Sequence, residues 1–392
     1  MNNNIFYNMI FLSFFIPEYI GININHNFFR FKQGYILVLL GIYIVSIYKK
    51  GSLKETIFKV SPSNFILLTL FVLFTRNPSV IYIPMVICLL IVFCKDKKQR
   101  IIINNNYVKW FIIINFLLVL LQLKYNFKVM LTNSFLKAFI NEGLIHDPIY
   151  RGGISRAIGL FGHPLYLGNF FSLLLLYCID YFESNKEKLI YISMSLFIML
   201  MAFSRTTILN VLIIFLYFGV KKLAFLKGRI KKQWIYISMF FAVSIVPFIF
   251  VFFKQISLNE RSDLYRFYGA ILMIKKIFST ASNFFLGNIS QHTGVIDKVY
   301  VNGIEILVNS VDNFYIQYLY NYGIIIFILT LIFIVGVYKE SKFKYKTLLL
   351  IVAIVMNLFT SAFEWDFNTT LLFFLLLMLE NTKYYYVAGG EL

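Results

Sequence analysis

The sequence predicts an all-α integral membrane protein that crosses the bilayer many times. Hydrophobic residues make up 59% of the 392-residue chain, charged residues only 14%, and the mean hydropathy is +0.75. A water-soluble protein of this length would lack the polar residues needed to cover such a core. Apolar runs long enough to form membrane-spanning helices also recur along the whole chain. We therefore expect a polytopic helical membrane protein.

Twelve apolar segments mark the expected helices, and the sequence supports a range of ten to twelve. Several segments are shorter than the roughly 20 residues that a helix needs to span the hydrocarbon core. The segments are 5–20, 34–48, 63–75, 79–94, 106–123, 164–182, 187–203, 206–221, 233–253, 313–337, 347–363 and 368–380. No internal repeat or flanking soluble segment is evident, so we expect residues 1–392 to form a single polytopic membrane domain.

The charges between these segments predict which side of the membrane each loop faces. Lysine is concentrated near residues 49–59, 95–109, 221–232 and 339–346, all in connections on the same side. Lysine-rich short loops normally stay in the cytoplasm, which places both termini there. The net charge of +19 is therefore a topology signal. It favours contact with anionic lipid headgroups of the bilayer and not with nucleic acid.

Arginine and histidine have the opposite distribution from lysine. Seven of the nine arginines and all four histidines fall on the predicted external side, where basic residues are normally depleted. These residues are Arg30, Arg76, Arg151, Arg156, Arg205, Arg261, Arg266, His26, His146, His163 and His292. The distribution indicates an external site for anionic groups.

Two predicted external loops, 124–163 and 254–312, are too long to be simple connectors. The first ends in a glycine-rich stretch before Pro164, and proline suits the first turn of a helix, so His163 is expected at a helix N-terminus. In the second, Ser262 is a suitable N-cap. Apolar residues then follow at three-four spacing, namely Leu264, Phe267, Ile271, Ile274 and Phe278. This spacing predicts an amphipathic helix along the membrane surface, followed by a loop containing Gly287, Asn288, Gly294 and Gly303.

Three predicted helices begin at the external face, near Pro164, Thr206 and Asn313. A helix N-terminus presents unpaired backbone N–H groups and the positive end of the helix dipole. The arginines beside these starts or on the surface helix are Arg151, Arg156, Arg205, Arg261 and Arg266. Guanidinium groups and helix N-termini suit phosphate or pyrophosphate. On the outside of a membrane, a pyrophosphate suggests a lipid-linked sugar.

Each candidate residue also has an ordinary structural explanation. Arg205 could reach lipid headgroups, and Arg151 and Arg156 could be solvated loop charges. Arg261 and Arg266 could pair with the neighbouring Glu260 and Asp263. His163 could be only a helix-end residue, and Asp312 could be the N-cap of the helix starting at Asn313. Their common placement on one face is what favours a functional site.

Four stretches of the second half carry a family resemblance. They are Arg156 to Pro164, Ser204-Arg205, Glu260-Arg261 through Arg266, and Asp312 to Gly323. In this order and with these loop lengths they resemble the motifs of the O-antigen ligase and O-antigen or capsular polysaccharide polymerase superfamily of bacterial membrane glycosyltransferases. The resemblance extends from Arg151 to about Gly336, while the first 150 residues add only hydrophobic spans.

The resemblance implies a GT-C-like fold acting on undecaprenyl-pyrophosphate-linked glycans at the external face of the bacterial inner membrane. It implies no metal or other cofactor. The matching arginines, Arg205 with one or both of Arg261 and Arg266, would bind the pyrophosphate and stabilise it as the leaving group. Either Asp312 or His163 would be the base that accepts the proton of the acceptor hydroxyl. Ligases of the superfamily typically have His-Asn where this chain has Asp312-Asn313. The difference favours a repeat-unit polymerase.

We therefore expect a polymerase that transfers a growing glycan onto the next lipid-linked repeat unit. A chain-length regulator and a flippase are its expected partners. One alternative is the ligase that joins finished glycan to a lipid A core. Another is a flippase for lipid-linked oligosaccharides or another transporter, which would show polar residues at mid-membrane and repeated halves. The nearly charge-free spans and two large external loops of this chain favour chemistry at the surface.

Overall fold

A computed structural model describes residues 3–16, 21–24, 27–49, 101–124, 150–151, 154–161, 163–227, 261–288, 297–301, 304–308, 313–359 and 367–379. Within these ranges the chain is mainly helical, as predicted. Among the described residues, three helices are long and apolar enough to cross a membrane, and shorter apolar helices accompany them. The predicted spans 63–75, 79–94 and 233–253 lie outside the described residues. The total of twelve spans therefore stays a prediction.

The described helices are α1 (Asn3–Leu12), α2 (Phe31–Lys49), α3 (Asn105–Lys124), α4 (Pro164–Tyr181), α5 (Asn185–Met201), α6 (Arg205–Lys227), α7 (Arg261–Ile277), α8 (Ala281–Leu286), α9 (Phe314–Glu340), α10 (Lys346–Phe359) and α11 (Phe367–Met378). Nine of the described helices overlap predicted apolar segments, and the other two, α7 and α8, lie in the second long loop. A short 3-10 turn, Ser13–Phe15, extends α1.

The described part of the chain contains three short antiparallel hairpins between helices, where the sequence predicted none. Their strands are β1 (Gly21–Ile24) with β2 (Asn27–Arg30), β3 (Tyr150–Arg151) with β4 (Ile154–Ser155), and β5 (Asp297–Val301) with β6 (Ile304–Val308). The third hairpin replaces part of the loop expected after the surface helix, and pairs Val299 with Ile306. The glycines and asparagines suggested a loop, but β-branched and aromatic residues between them favour extended pairing.

Helix α4 lies at the centre of the helix bundle. Of its residues, 78% are buried, and it packs against α5, α6, α10 and α11. Phe170 and Phe171 of α4 contact the ring of Phe111 in α3. A helix that is buried on every side must be surrounded by other helices. By contrast, α6 exposes an apolar stripe that suits lipid contact, consisting of Ile208, Leu212, Phe215 and Leu216.

One end of the bundle collects many of the lysines. At this end, the Asn105 side chain at the start of α3 donates to the carbonyl of Tyr181 at the end of α4, at 3.4 Å. Near the end of α6, the Lys221 ammonium lies 5.6 Å from the ring centroid of Tyr345, just before α10. We call this the lysine end; its lysines are Lys109, Lys186, Lys188, Lys221, Lys339, Lys342, Lys344 and Lys346.

The opposite end, called the arginine end below, collects the starts of α4, α6 and α9. The backbone N–H of Ala157, just before α4, donates to the carbonyl of Met201 at the end of α5 (2.9 Å). The Asn313 side chain at the start of α9 donates to the carbonyl of Leu358 near the end of α10 (3.0 Å). Since the end of α6 meets the start of α10, the start of α6 at Arg205 lies with the end of α10. The side of the membrane that each end faces stays a prediction.

Helix α9 is broken at Gly323, whose φ of 73° and ψ of 176° are not helical. The break folds residues 314–322 back against residues 324–340. The hydroxyl oxygens of Tyr318 and Thr330 lie 2.9 Å apart, and the rings of Tyr315 and Phe327 are 6.2 Å apart. In a straight helix, residues twelve positions apart would be separated by roughly 18 Å along the axis. The predicted span 313–337 is therefore helical but consists of two segments that meet at a sharp bend.

The loop after α8 fills the break in α9. The backbone N–H of Asn288 donates to the carbonyl of Tyr320 (2.8 Å), and its side chain donates to the Tyr320 hydroxyl (2.9 Å). The break removes the intrahelical partner of that carbonyl, so the loop satisfies a buried group that would otherwise be unpaired. Gly287 fits directly against the α9 backbone, since a Cβ there would lie 2.4 Å from the carbonyl oxygen of Asn321.

Helix α7 lies in the second long loop, where the sequence predicted a helix. It begins at Arg261, so Ser262 lies in its first turn and is not its N-cap. Met273 and Ile277 are buried against Tyr320 of α9 in a small separate cluster. The predicted apolar stripe lies on another face, where Ile271, Ile274 and Phe278 are exposed. One side of α7 thus packs on the protein while the predicted membrane-facing side remains open.

Candidate functional site

The loop that precedes α4 is joined to the turn that precedes Arg205. Besides the Ala157–Met201 hydrogen bond, the Nε atom of Arg156 donates to the carbonyl of Ala202 at 3.1 Å. Arg156 is only 9% exposed. The stretch from Arg156 to Pro164 therefore contacts residues 201 and 202, which directly precede the stretch Ser204-Arg205. As a result, α4 and α6 begin close together at the arginine end, with Arg156 beside both starts.

A tight turn between α5 and α6 determines where Arg205 lies. Phe203 has a φ of 43°, an uncommon value for a residue other than glycine. Ser204 is buried, and its carbonyl accepts the N–H of Ile208 as an early hydrogen bond of α6. Arg205 therefore occupies the first position of α6, where the positive end of the helix dipole lies.

Helices α4 and α6 approach each other closely just below these starts. A Cβ added to Gly168 of α4 would lie 2.0 Å from the Thr207 hydroxyl oxygen of α6. One turn further on, the Asn210 side chain donates to the Ser172 hydroxyl at 3.3 Å. Small residues allow membrane helices to pack at short distance, and neutral polar groups add hydrogen bonds between them.

Replacing Gly168 with alanine should weaken this contact. The added methyl group must displace Thr207, and overpacking of this kind costs about 1–3 kcal/mol. We expect a lower thermal midpoint in detergent for Gly168→Ala. Gly219→Ala on α6 is the matched control, because nothing lies within 4 Å of a Cβ there. Equal midpoints for the two variants would contradict the close α4–α6 contact.

The loop residues 158–160 are held by side chains of α3. The Gln122 side-chain oxygen accepts the backbone N–H groups of Ile158 (3.1 Å) and Gly159 (3.2 Å). The Asn115 side-chain oxygen accepts the N–H of Leu160 at 3.2 Å. The first 150 residues were expected to contribute only spans, so sequence reasoning missed both side chains. A signal was available, since an Asn and a Gln seven residues apart share one face of an otherwise apolar helix.

Removing the acceptor at Gln122 should loosen this loop. Methionine has a similar length but cannot accept the two N–H groups, and an unpaired buried donor costs about 1–3 kcal/mol. We expect faster hydrogen exchange in a peptide covering residues 156–161 of Gln122→Met. Gln122→Glu keeps a carbonyl acceptor and should retain slow exchange. Unchanged exchange in Gln122→Met would show that Gln122 does not hold the loop.

His163 is the N-cap of α4, as predicted from its position before Pro164. Its Nδ1 atom accepts the backbone N–H of Leu165 at 3.1 Å, and its ring lies 4.9 Å from the ring of Tyr166. Burial lowers the pKa of His163 to about 4, and the positive charge of Arg156 contributes to the shift. The imidazole is therefore neutral at pH 7 and sits in a positively charged environment.

Asn313 takes the capping position at the start of α9. Its side-chain oxygen accepts the N–H of Ile316 at 3.1 Å, while its amide nitrogen donates to Leu358. Asn313 thus has the N-cap role that was considered for Asp312. Asp312 itself lies outside the described residues.

The other predicted site residues are placed by their backbone. Arg151 lies in β3, opposite Ile154 of β4. Arg261 and Arg266 lie in the first half of α7, whose packing against α9 brings the second long loop to the bundle. Among the described ranges, no three His, Cys, Asp or Glu side chains group in a way that could hold a metal ion. Comparison of the chain with protein-family models and with curated proteins finds no match.

Proposed function

We propose that the chain is a bacterial membrane glycosyltransferase that polymerises a surface polysaccharide, such as O-antigen. It transfers a growing glycan from undecaprenyl pyrophosphate onto the next lipid-linked repeat unit. The observation that carries the proposal is the contact of Arg156 and Ala157 with the end of α5. This contact gathers two helix N-termini and two arginines at one end of a membrane-embedded bundle.

The electrostatics of the arginine end suit a pyrophosphate leaving group. Each helix N-terminus carries roughly half a positive charge, and the starts of α4 and α6 add to the charges of Arg156 and Arg205. Negative charge grows on the pyrophosphate as its bond to the sugar breaks. Fixed positive groups aimed at that charge lower the barrier of the transfer step. Arg261 and Arg266, on α7, supply further guanidinium groups in this proposal.

The transfer exchanges one bond to the anomeric carbon for another. The acceptor hydroxyl oxygen bonds to the anomeric carbon of the growing glycan, and the bond from that carbon to the pyrophosphate oxygen breaks. The bonding electron pair leaves with undecaprenyl pyrophosphate, and the hydroxyl proton passes to a base. Asp312 is the proposed base, because it lies in the fourth motif-like stretch, directly before the N-cap residue Asn313 of α9.

In this proposal the arginine end faces outward from the inner membrane and the lysine end faces the cytoplasm. The lipid carrier reaches the site from the bilayer, after a flippase has brought the repeat unit across. A chain-length regulator is a further proposed partner. The exposed apolar side chains of Ile271 and Ile274 on α7, and of Phe278 directly after it, support contact with the membrane surface near the site.

The glycan profile of cells that lack the protein tests the proposal. We expect the ladder of polymer bands to disappear while a band with a single repeat unit on the core survives. Accumulation of polymer on undecaprenyl pyrophosphate, with no glycan on the core, would instead identify the ligase of the same superfamily. An unchanged ladder would refute the proposed function.

A further inference from the structure

The N-cap hydrogen bond fixes which ring nitrogen of His163 carries the proton. Nδ1 accepts the N–H of Leu165, so its lone pair is occupied and it carries no hydrogen. In a neutral imidazole the hydrogen must then be on Nε2. Pro164, with its fixed φ, follows directly and holds the start of the helix in place. The residue therefore presents an N–H donor on the side of the ring away from the helix.

A general base needs a free lone pair, and His163 has none in this arrangement. To accept a proton at Nδ1 it would first have to release the Leu165 N–H and leave the helix start uncapped. Protonation would also place a second positive charge near Arg156. Burial of the ring and the charge of Arg156 both oppose this protonation. His163 is therefore poorly suited to the role of base that the resemblance left open.

The donor at Nε2 has no hydrogen-bond partner in the described part of the chain. Its surroundings are positive, since the charge of Arg156 acts on the ring and the ring caps the positive end of the α4 dipole. A positive environment attracts an anionic acceptor in preference to a neutral sugar hydroxyl. A phosphate oxygen is the acceptor that satisfies both the donor and the charge.

We propose that His163 donates a hydrogen bond from Nε2 to a pyrophosphate oxygen of the lipid-linked donor and is not the base. This inference rests on the proposed function and refines its site. It assigns His163 and Arg156 to recognition of the leaving group, and it leaves the proton transfer to another residue.

Three variants that all keep an N-cap separate the possible roles of His163. Asparagine keeps the cap and an N–H donor, serine keeps the cap with a shorter hydroxyl, and aspartate keeps the cap but offers only an acceptor. The purified variants are compared in liposomes by kcat/KM for an undecaprenyl-pyrophosphate-linked repeat unit and by thermal midpoint.

We expect the kcat/KM of His163→Asn to stay within about 10-fold of the wild-type value. The kcat/KM of His163→Asp should fall about 100-fold or more, because a lost hydrogen bond to a charged group reduces it by about that factor. Activity of His163→Ser should lie between them. The pH profile of His163→Asn should match that of the wild type. A base at His163 would reverse the order, with Asp more active than Asn, and would remove the acidic limb of the profile in His163→Asn.

Equal activity of all variants, or losses that follow the thermal midpoint alone, would also overturn the inference. Binding of undecaprenyl pyrophosphate can be measured without turnover, so it tests the donor role of His163 independently of the proposed polymerase function. Weaker binding to His163→Asp than to His163→Asn supports the donor role even if no polymer forms. Failure of the wild type to polymerise the repeat unit would count against the proposed function and not against this role.

Discussion

Replacing Arg205 with alanine is expected to stop polymer formation while protein level and membrane insertion stay normal. Arg205 is the first residue of α6, beside the loop that carries Arg156 and His163. Removing one group that stabilises charge in a transition state typically costs about 10²–10³-fold in rate. The measurement is the polymer ladder of cells that carry the variant, together with its immunoblot signal in isolated membranes.

Arg205→Lys should also be impaired, because lysine keeps the charge but loses the two-pronged contact of a guanidinium group with phosphate oxygens. Arg229→Ala, at an arginine predicted on the opposite side of the membrane, is the control and should leave the ladder intact. A normal ladder from Arg205→Ala would remove Arg205 from the site.

Replacing Gly323 with alanine is expected to disrupt the junction of α7, α8 and α9. Its φ of 73° and ψ of 176° form a combination that is essentially restricted to glycine. A Cβ there would lie 2.5 Å from the backbone nitrogen of Gly287 and 2.5 Å from the carbonyl oxygen of Phe285. Backbone atoms cannot rotate away as a side chain can. Strain and overpacking together should cost about 3 kcal/mol or more.

The thermal midpoint of Gly323→Ala in detergent should therefore fall clearly, and polymer formation should fall with it. Gly336→Ala is a matched control in the same helix, since nothing lies within 4 Å of a Cβ there. In a helix interior, glycine-to-alanine normally stabilises by about 1 kcal/mol. Equal thermal midpoints for Gly323→Ala and Gly336→Ala would contradict both the break in α9 at Gly323 and the close contact of Gly323 with Gly287.

The helices and the grouping of their ends could be predicted from the sequence. Apolar length marks helices such as α4 and α6, because a bilayer sets the length that a span requires. Lysine counts assign each loop to one side of the membrane, because short lysine-rich loops normally stay in the cytoplasm. The same counting put Arg156, His163 and Arg205 on one face, and the contact of Arg156 with Ala202 agrees with that grouping.

The features that depend on distant contacts could not be predicted in this way. Gly323 lies within a long apolar run, and hydropathy cannot reveal a break whose carbonyl is satisfied by Asn288, far away in sequence. In the sequence, Gln122 is one polar residue in a predicted span, and only the structure shows that its side chain accepts the backbone N–H of Ile158. Neighbours such as Asp312 and Asn313 are both good caps, and only the hydrogen bond to Ile316 distinguishes them.

Reconstitution of the purified protein shows whether it polymerises a lipid-linked glycan without any other enzyme. The purified protein is placed in liposomes with a single substrate, an undecaprenyl-pyrophosphate-linked repeat unit, and both glycan length and free undecaprenyl pyrophosphate are followed. We expect the wild type to form polymer and to release one undecaprenyl pyrophosphate for each bond made, and we expect Arg205→Ala to do neither. Absence of polymer with the well-folded wild type, or equal polymer from Arg205→Ala, would contradict this expectation.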